Sequence, residues 1–362
     1  MKYVNGNRNR NGIKIGHYNK GHSMMQSRMF EIKDLVSTHQ PHILGISEAN
    51  IKRNEDLNTF SIDDYNLYVG PSSLNGIIRI AVYIHKSTAA KLRPDLMSQN
   101  LHSIWLEVSI KNSKKILVNQ SYREWQQLGV PNSVSIPDQY ARWIEYLEYW
   151  EKALQSGMET VCMGDYNINH CNWTNPDIPR ENQTYKLRSL ITALFTKIFP
   201  FGVVQLISGP TRYFPGCTPS GLDHLFTNVP EKITNVQKHF HGTSDHQFIV
   251  ATRISKSIKS SPQYIRKRSY KNVDSVTFIE AVKSIRWLDL YLSEDVNEAV
   301  KIFTCTLRKI LDHMAPMKTI QIRKNYIPWI SEETKRMIVE RNELKKIASM
   351  SGHENDWANY KN

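Results

Sequence analysis

The stretch ETVCMGDYNINH, residues 159–170, decides how the chain is expected to fold. Its apolar start is typical of a buried strand, and Asp165, Tyr166 and Asn167 follow side by side. An open α/β sheet presents its chemistry at the carboxyl ends of its strands, and residues two apart in extended backbone point to the same side. We therefore expect Asp165 and Asn167 to face a phosphate and a water while Tyr166 packs inside. Alone, the stretch is equally typical of a loop with Asx turns.

The charge balance indicates a polyanionic partner. The 362 residues include 47 Lys and Arg against 34 Asp and Glu, a formal net charge of +13. Such an excess favours nucleic acid first and an anionic membrane surface second. No apolar stretch approaches the roughly 18 residues of a membrane span, and residues 1–16 have no apolar signal-peptide core. The sequence therefore predicts an intracellular protein that is neither secreted nor membrane-spanning.

The cysteines predict neither disulfide bonds nor a zinc centre. The chain has 4 cysteines, and none of them forms a CxxC pair. His170 stands next to Cys171, but no second pair of this kind matches it. This composition fits a reducing compartment.

Two polar side chains stand where early strands are predicted to end. Residues 13–18 alternate weakly and predict a strand that ends at Asn19. The apolar residues 42–47 predict a short buried strand that delivers Glu48 at its end. For Glu48 alone, a solvated surface position is the more ordinary explanation.

Two predicted loops carry groups that could contact nucleic acid. After the strand that ends at Ser121, the loop has a phenol, a guanidinium and an indole, at Tyr122, Arg123 and Trp125. These groups suit phosphate and base or sugar contacts, and ordinary loop packing explains them equally well. The later loop PTRYFPG carries Thr211 and Arg212, which could hold a phosphate.

Between these loops the periodicity predicts an amphipathic helix over residues 138–154. A helix over residues 181–199 and a strand over residues 202–208 are also predicted. The first helix has an apolar stripe that we assign to the core, formed by Tyr140, Trp143, Leu147, Trp150 and Leu154.

Asp223 lies inside a short apolar strand and needs a partner. An unpaired buried carboxylate is costly or becomes neutral. The candidate is His246, which stands in the segment GTSDHQ just before another apolar strand. A hydrogen bond from Asp223 would fix the imidazole tautomer of His246 and raise its basicity.

The amino-acid composition changes after the last of these predicted strands. Residues 1–12 are predicted to be a disordered leader, residues 13–255 the main domain and residues 256–275 a basic linker. Residues 276–362 read as helical with breaks at Pro316 and Pro328, and they carry no second set of catalytic residues.

The order of the polar residues resembles the endonuclease/exonuclease/phosphatase superfamily, which includes the DNase I-like nucleases and the apurinic endonucleases. The likeness covers about residues 13–253. It implies an α/β fold in four layers, with two packed mixed β-sheets flanked by helices, followed here by a mostly helical C-terminal extension. The residues that carry it are Asn19, Glu48, Tyr122, Asp165, Asn167, Asp223, Ser244, Asp245 and His246.

Within the superfamily, the motifs are more closely similar to endonuclease domains of non-LTR (LINE-type) retrotransposons. The matching segments are SYREW, GDYN, PTR followed by SGLDH, and SDH. Near the C-terminus, APMK, PWI and RNEL look like the connector that joins such endonucleases to a reverse transcriptase. The chain stops at Asn362 before any reverse-transcriptase motif, so we expect a truncated or partial element product.

The resemblance implies hydrolysis of a phosphodiester by water with Mg²⁺, or alternatively Mn²⁺, as cofactor. Hard cations prefer carboxylate and amide oxygens. Glu48 would be the principal metal ligand, with Asn19 and Asp245 nearby. Arg123, Thr211 and Arg212 would bind substrate, as their loops suggest.

The same resemblance assigns the catalytic roles. Asp165 would orient or deprotonate the attacking water, and Asn167 would donate to a non-bridging phosphate oxygen. His246, oriented by Asp223, would stabilise charge growing on phosphorus. Tyr122 would hydrogen-bond the phosphate or assist the leaving group.

The expected partner is target DNA, with element RNA at the basic C-terminal segment as a further one and the nucleus as the place of action. The oligomeric state is left open. Two alternatives stand beside this hypothesis. One is another enzyme of the superfamily, either a stand-alone apurinic endonuclease or a phosphatase of inositol lipid or sphingomyelin. The other is a catalytically dead nucleic-acid-binding relic.

Overall fold

The structure, a computed structural model, describes residues 12–110, 113–124, 135–169, 185–255, 263–270, 273–322 and 331–361. Several sequence-based interpretations lie outside these residues. They are the leader up to residue 11, Trp125, the His170–Cys171 pair, residues 256–262 and 271–272 of the basic linker, and the PWI segment.

Two six-stranded mixed sheets form the centre of the main unit. The first has the order β11-β12-β1-β2-β4-β3, with strands β1 (Gly12–Asn19), β2 (Ile43–Lys52), β3 (Tyr65–Val69), β4 (Ile77–His85), β11 (Ile233–Phe240) and β12 (Gln247–Ile254). The second has the order β5-β6-β7-β8-β10-β9, with strands β5 (Ala89–Leu92), β6 (Ser103–Ser109), β7 (Ile116–Tyr122), β8 (Glu159–Asp165), β9 (Val204–Gln205) and β10 (Asp223–Thr227).

Three buried clusters arrange these sheets and the helices in four layers. The cluster between the sheets joins Ile15 and Val82 of the first sheet to Val118 and Leu225 of the second. Helix α1 (Met25–His39) covers the outer face of the first sheet, and helices α2 (Ile136–Gln155) and α3 (Tyr185–Lys197) cover that of the second. The predicted four-layer α/β sandwich is confirmed.

The aromatic stripe of α2 explains how this helix is held. Trp143 and Trp150 are buried, as predicted, and their rings lie 6.0 Å and 5.5 Å from that of Tyr166. Tyr140 is 40% exposed, so its assignment to the core was wrong. Tyr166 therefore anchors the residues after β8 in the apolar layer beneath α2, as its position between two polar residues predicts.

Two strand predictions need correction. Strand β2 does not end before Glu48 but continues to Lys52. Its pairing with β4 is interrupted between Ser47 and Ile51, where Glu48 has a φ of 54°. The predicted strand over residues 202–208 is reduced to the two residues of β9.

The chain divides into two compact units, Met1–Lys259 with Pro328–Asn362, and Ser260–Ile327. The second unit has a two-stranded antiparallel ribbon of β13 (Gln263–Arg268) and β14 (Met317–Ile322), with helices α4 (Ser275–Lys283), α5 (Leu288–Tyr291) and α6 (Val296–Met314). A strand therefore occupies part of the predicted linker, and another follows the break at Pro316.

Helices α7 (Glu332–Ser351) and α8 (Glu354–Lys361) belong to the first unit. The proposed division into nuclease domain, linker and connector remains a prediction. None of the described helices combines the length and apolar character that a bilayer crossing requires.

A histidine cluster joins the end of α1 to β11. The ring of His39 lies 4.6 Å from that of His239 and 4.9 Å from that of Phe248. Burial, with the charges of His239, His241 and Lys14, lowers the pKa of His39 to about 3. The ordinary pKa of histidine is about 6.5, so below that pH the unfolded chain binds a proton that the native chain does not.

We therefore expect the free energy of unfolding to fall as the pH drops below about 6.5. His39→Gln should show a smaller loss of melting temperature between about pH 7 and pH 5 than the wild type, because it removes this titrating group. His353→Gln, at an exposed histidine, is the control. An equal loss in all three proteins would contradict the prediction.

Candidate functional site

Two aspartates meet at the centre of the site. Strands β8 and β10 run antiparallel in a register that sets Asp165 opposite Asp223. Both side chains are buried, with exposures of 1% and 0%. Strand β7 runs parallel to β8 and sets Tyr122 beside Asp165. The strand-end residues expected from the sequence are therefore brought to one edge of the second sheet.

Asp223 accepts contacts from three side chains. Nδ1 of His246 lies 2.7 Å from its Oδ2, so the pairing expected from the sequence is present. The hydroxyl of Thr211 donates to the same oxygen at 2.7 Å, and Nε2 of His17 lies 3.0 Å from Oδ1. His17 was not foreseen. Thr211 is fully buried, so it supports Asp223 and does not offer a free phosphate contact.

This arrangement gives the two aspartates different pKa values. Burial by itself raises the pKa of Asp223, but the charge of His246 and the hydrogen bonds from His17 and His246 lower it well below its usual range. Burial, the charge of Asp223 and a smaller effect of Glu48 raise the pKa of Asp165 to about 7, against the opposing effect of His246. Asp223 is thus the ionised partner of the pair.

His246 is the cationic partner of Asp223. Burial favours its neutral form, but the charge of Asp223, their hydrogen bond and the charge of Asp165 together raise the pKa of His246 to about 9. An imidazolium therefore faces the centre of the site at neutral pH.

Asn19 connects the two sheets through its amide. Its Nδ2 donates to Asp165 Oδ2 at 2.9 Å and to Glu48 Oε1 at 3.1 Å. Its Oδ1 accepts the N–H of Gly21 at 2.9 Å. Asn19 was expected to be a metal ligand, and an amide ligates a cation through its oxygen. Here the oxygen accepts one hydrogen bond from Gly21 and the Nδ2 bridges two carboxylates, and the metal-ligand role of Asn19 stays a prediction.

Glu48 lies at the irregularity of β2 and is 5% exposed. Its Oε1 accepts the hydroxyl of Tyr122 at 3.3 Å, and Arg79 Nη2 donates to the same hydroxyl at 3.1 Å. Burial, with the charge of Glu48, raises the pKa of Tyr122 well above its ordinary value. Tyr122 therefore enters the site as a neutral hydroxyl.

A buried ion pair behind Tyr122 was not foreseen. Arg79 Nε lies 2.6 Å from Glu124 Oε1, and His102 Nε2 lies 3.4 Å from the other oxygen of Glu124. Arg79 also donates to the side-chain oxygen of Asn50. A charged residue inside the apolar strand IIRIAVYIH is a sequence signal that could have identified Arg79.

The side chain of Asn167 does not point to the same side as that of Asp165. Its φ is 49°, so the backbone has left the extended form that the prediction assumed. Its N–H donates to Asp165 Oδ1 at 2.9 Å, which is an Asx turn, and its Nδ2 donates to the carbonyl of Arg123 at 2.9 Å. Asn167 therefore braces the loop and orients Asp165.

The two arginines expected to bind substrate differ in position. Arg123 is 1% exposed and donates to the carbonyl of Tyr166 and to Gln139 Oε1, each at 2.8 Å, so it braces the loop after β8, and its substrate-binding role stays a prediction. Arg212 is partly exposed, and its Nε lies 2.7 Å from Asp245 Oδ2. Asp245, expected near the metal, is paired with Arg212.

The donor set suits a hard divalent cation at Glu48. Its Oε2 is buried and accepts no hydrogen bond of ordinary geometry from the described residues, although His22 Nδ1 lies 2.7 Å away. Asp165, Asp223 and His246 also offer ligand atoms within 4.8 Å of one another. The oxygens of Asp223 and Asp165 already accept hydrogen bonds, so Glu48 Oε2 is the better placed ligand.

The family described as Endonuclease/Exonuclease/phosphatase matches residues 25–246 of this chain. The endonuclease domain of TRAS1, a telomere-specific non-LTR retrotransposon, is similar with a TM-score of 0.50 and 15% identity, over 68% of this chain and 100% of that domain. This likeness supports the fold.

Two further solved structures have lower scores. An AP endonuclease from Archaeoglobus fulgidus has a TM-score of 0.48 and 14% identity, over 67% of this chain and 99% of its own. A 3'-5' exonuclease (NExo) from Neisseria meningitidis has a TM-score of 0.48 and 13% identity, over the same shares. No curated protein matches the chain.

The electrostatics of the site can be tested by titration. Asp223→Asn should lower the pKa of His246 clearly from about 9, since the charge of Asp223 is the largest favourable contribution and burial remains. Histidine ring signals in NMR measure this pKa. Asp245→Asn should have a much smaller effect, because Asp245 contributes the least to the shift. A pKa still near 9 in Asp223→Asn would refute the assigned pairing.

Proposed function

Since this chain belongs to the endonuclease/exonuclease/phosphatase family, we propose that it is a divalent-metal-dependent DNA endonuclease that cleaves a phosphodiester by attack of water. The observation that carries the proposal is the buried group at one sheet edge. There the imidazolium of His246, held by Asp223, lies beside Asp165, whose pKa of about 7 suits proton exchange at neutral pH.

The two aspartates take different roles. Asp165 is fixed by Asn19 and by the N–H of Asn167, so its carboxylate can orient the attacking water and accept its proton. His246 would donate to a non-bridging oxygen of the phosphate as negative charge develops there. Asp223 has no free acceptor role and keeps His246 protonated and oriented.

Tyr122 and Glu48 define the other side of the site. The Tyr122 hydroxyl is neutral and lies next to Glu48, where it can donate to the phosphate or to the leaving oxygen. Glu48 would hold Mg²⁺ or Mn²⁺ through its Oε2, while Asp165 serves the attacking water; the ion supplies charge neutralisation and polarisation of the phosphate when bound. Asn19 keeps these two carboxylates at a fixed separation.

DNA is the substrate that the charge favours. The net charge of +13 suits a polyanion, and the TRAS1 domain of similar fold is an endonuclease of a non-LTR retrotransposon. We accordingly propose target-DNA nicking, as in the cleavage step of such elements, with the nucleus as the place of action. Exposed Arg266 and Lys267 of β13 are candidates for contacts with element RNA.

Substitution of the central residues tests the chemistry. Asp165→Asn and His246→Gln should each lower the rate of nicking of supercoiled plasmid by about 100- to 1,000-fold, because each removes one preorganised group. Glu148→Gln, at an exposed carboxylate of α2, is the control and should nick like the wild type. EDTA should abolish nicking and added Mg²⁺ or Mn²⁺ restore it.

Unchanged nicking by folded Asp165→Asn and His246→Gln would contradict the assigned site. Intact plasmid with folded wild type would favour the alternatives, either a phosphatase with a different substrate or a catalytically dead relic. Assays of an abasic duplex and of an inositol phospholipid then separate these alternatives.

Salt dependence tests the substrate class independently of catalysis. Counterion release makes binding to duplex DNA fall as salt rises. We expect the affinity of the Asp165→Asn protein for a labelled duplex to fall at least about tenfold between about 50 and 200 mM KCl. Fluorescence anisotropy measures this change, and a flat response would argue against DNA.

A further inference from the structure

Helix α7 packs against the nuclease unit, although it lies outside the residues that match the family. One of its faces is buried, with exposures of 1% at Lys345, 0% at Ala348 and 5% at Ser349. The neighbouring Lys346 and Ile347 are exposed. A lysine is therefore central to the buried face, where an apolar residue is ordinarily found.

The ammonium of Lys345 faces the connection between β11 and β12. Nζ donates to the carbonyl of Gly242 at 3.4 Å and lies 5.9 Å from the centre of the Tyr360 ring. Burial lowers the pKa of Lys345 to about 8, and the charges of Asp245 and Glu31 oppose this effect. A buried ammonium is costly unless it is compensated. The carbonyl of Gly242 and the charges of Asp245 and Glu31 compensate the ammonium of Lys345.

The opposite side of the same loop is held by α1. Glu31 Oε2 accepts the N–H of Thr243 at 3.1 Å, and Glu31 Oε1 accepts the Thr243 hydroxyl at 3.0 Å. Gly242 has a φ of 55°, and a Cβ there would lie 2.1 Å from Glu31 Oε2. A side chain at position 242 would displace the carboxylate of Glu31, and glycine avoids this displacement.

The loop of residues 242–246, which lies between Glu31 and Lys345, leads directly into the site. The hydroxyl of Ser244 donates to the backbone carbonyl of Asn19 at 2.6 Å, and it accepts the N–H of His246 at 3.1 Å. A shift of Gly242 and Thr243 would therefore move Ser244, and with it the backbone of both Asn19 and His246.

We propose that Lys345 of α7 is a positioning residue that, together with Glu31, clamps the loop of residues 242–246 and thereby sets the positions of His246 and Asn19. The catalytic consequence rests on the proposed function, whereas the clamp itself does not. The nuclease unit then includes a C-terminal helix that completes its site from outside the family-matched region.

The test compares full-length Lys345→Met with the wild type, with Lys345→Arg and with Lys346→Met as the exposed control. Hydrogen exchange followed by mass spectrometry reports the protection of residues 242–246. We expect about tenfold faster exchange there in Lys345→Met, with protection of the central strands unchanged. The kcat for plasmid nicking should fall by at least about tenfold with little change in KM, since misplaced groups weaken the chemical step. Lys345→Arg should recover most of both properties.

The results separate the clamp from the proposed function. Wild-type exchange and kcat in folded Lys345→Met would overturn the clamp. Faster exchange of the loop alone in Lys345→Met, together with a wild type that nicks no plasmid, would support the clamp and contradict the proposed function. If Lys345→Met unfolds, Lys345→Gln keeps a donor for the Gly242 carbonyl without the charge, and it is judged by the same exchange outcomes.

Discussion

The register between β8 and β10 is the constraint on which the site depends, because it sets Asp165 against Asp223 in a buried position. Two adjacent carboxylates cannot both ionise there without compensation. His246 and His17 compensate Asp223, and Asn19 donates to Asp165. One carboxylate is thereby kept charged and the other titrates near neutrality, so a symmetric strand pair becomes an asymmetric pair of chemical groups.

The compensating groups come from the opposite sheet, which makes the site a property of the sandwich. His17 and Asn19 end β1, and His246 precedes β12, whereas both aspartates belong to the second sheet. Their distances are therefore set by the apolar cluster between the sheets. A domain that loosened this cluster would keep its strands and lose the pairing of the aspartates.

The features that could be predicted from the sequence are those that depend on local periodicity or on the cost of burying a charge. The partner of Asp223 followed from the cost of an unpaired buried carboxylate, and Trp143 followed from helical spacing. His17 could not be found in this way, because its contact with Asp223 spans 206 residues and depends on how the sheets pack. Arg123 resembled a phosphate ligand, but in the structure it donates to the backbone carbonyl of Tyr166 in the loop after β8, since buried carbonyls also require donors.

The local charges support the proposal that this basic protein binds a divalent cation at this edge of the sheet. Glu48, Asp165 and Asp223 converge here, and an incoming phosphodiester adds further negative charge. The cations beside them are already engaged, His246 with Asp223 and Arg79 with Glu124. Buried Lys20 adds less than a full positive charge at neutral pH, because burial lowers its pKa to about 7 despite the charge of Glu48. Under the proposed function, the excess of +13 attracts DNA from elsewhere on the chain, and a bound divalent ion would neutralise charge at the scissile phosphate.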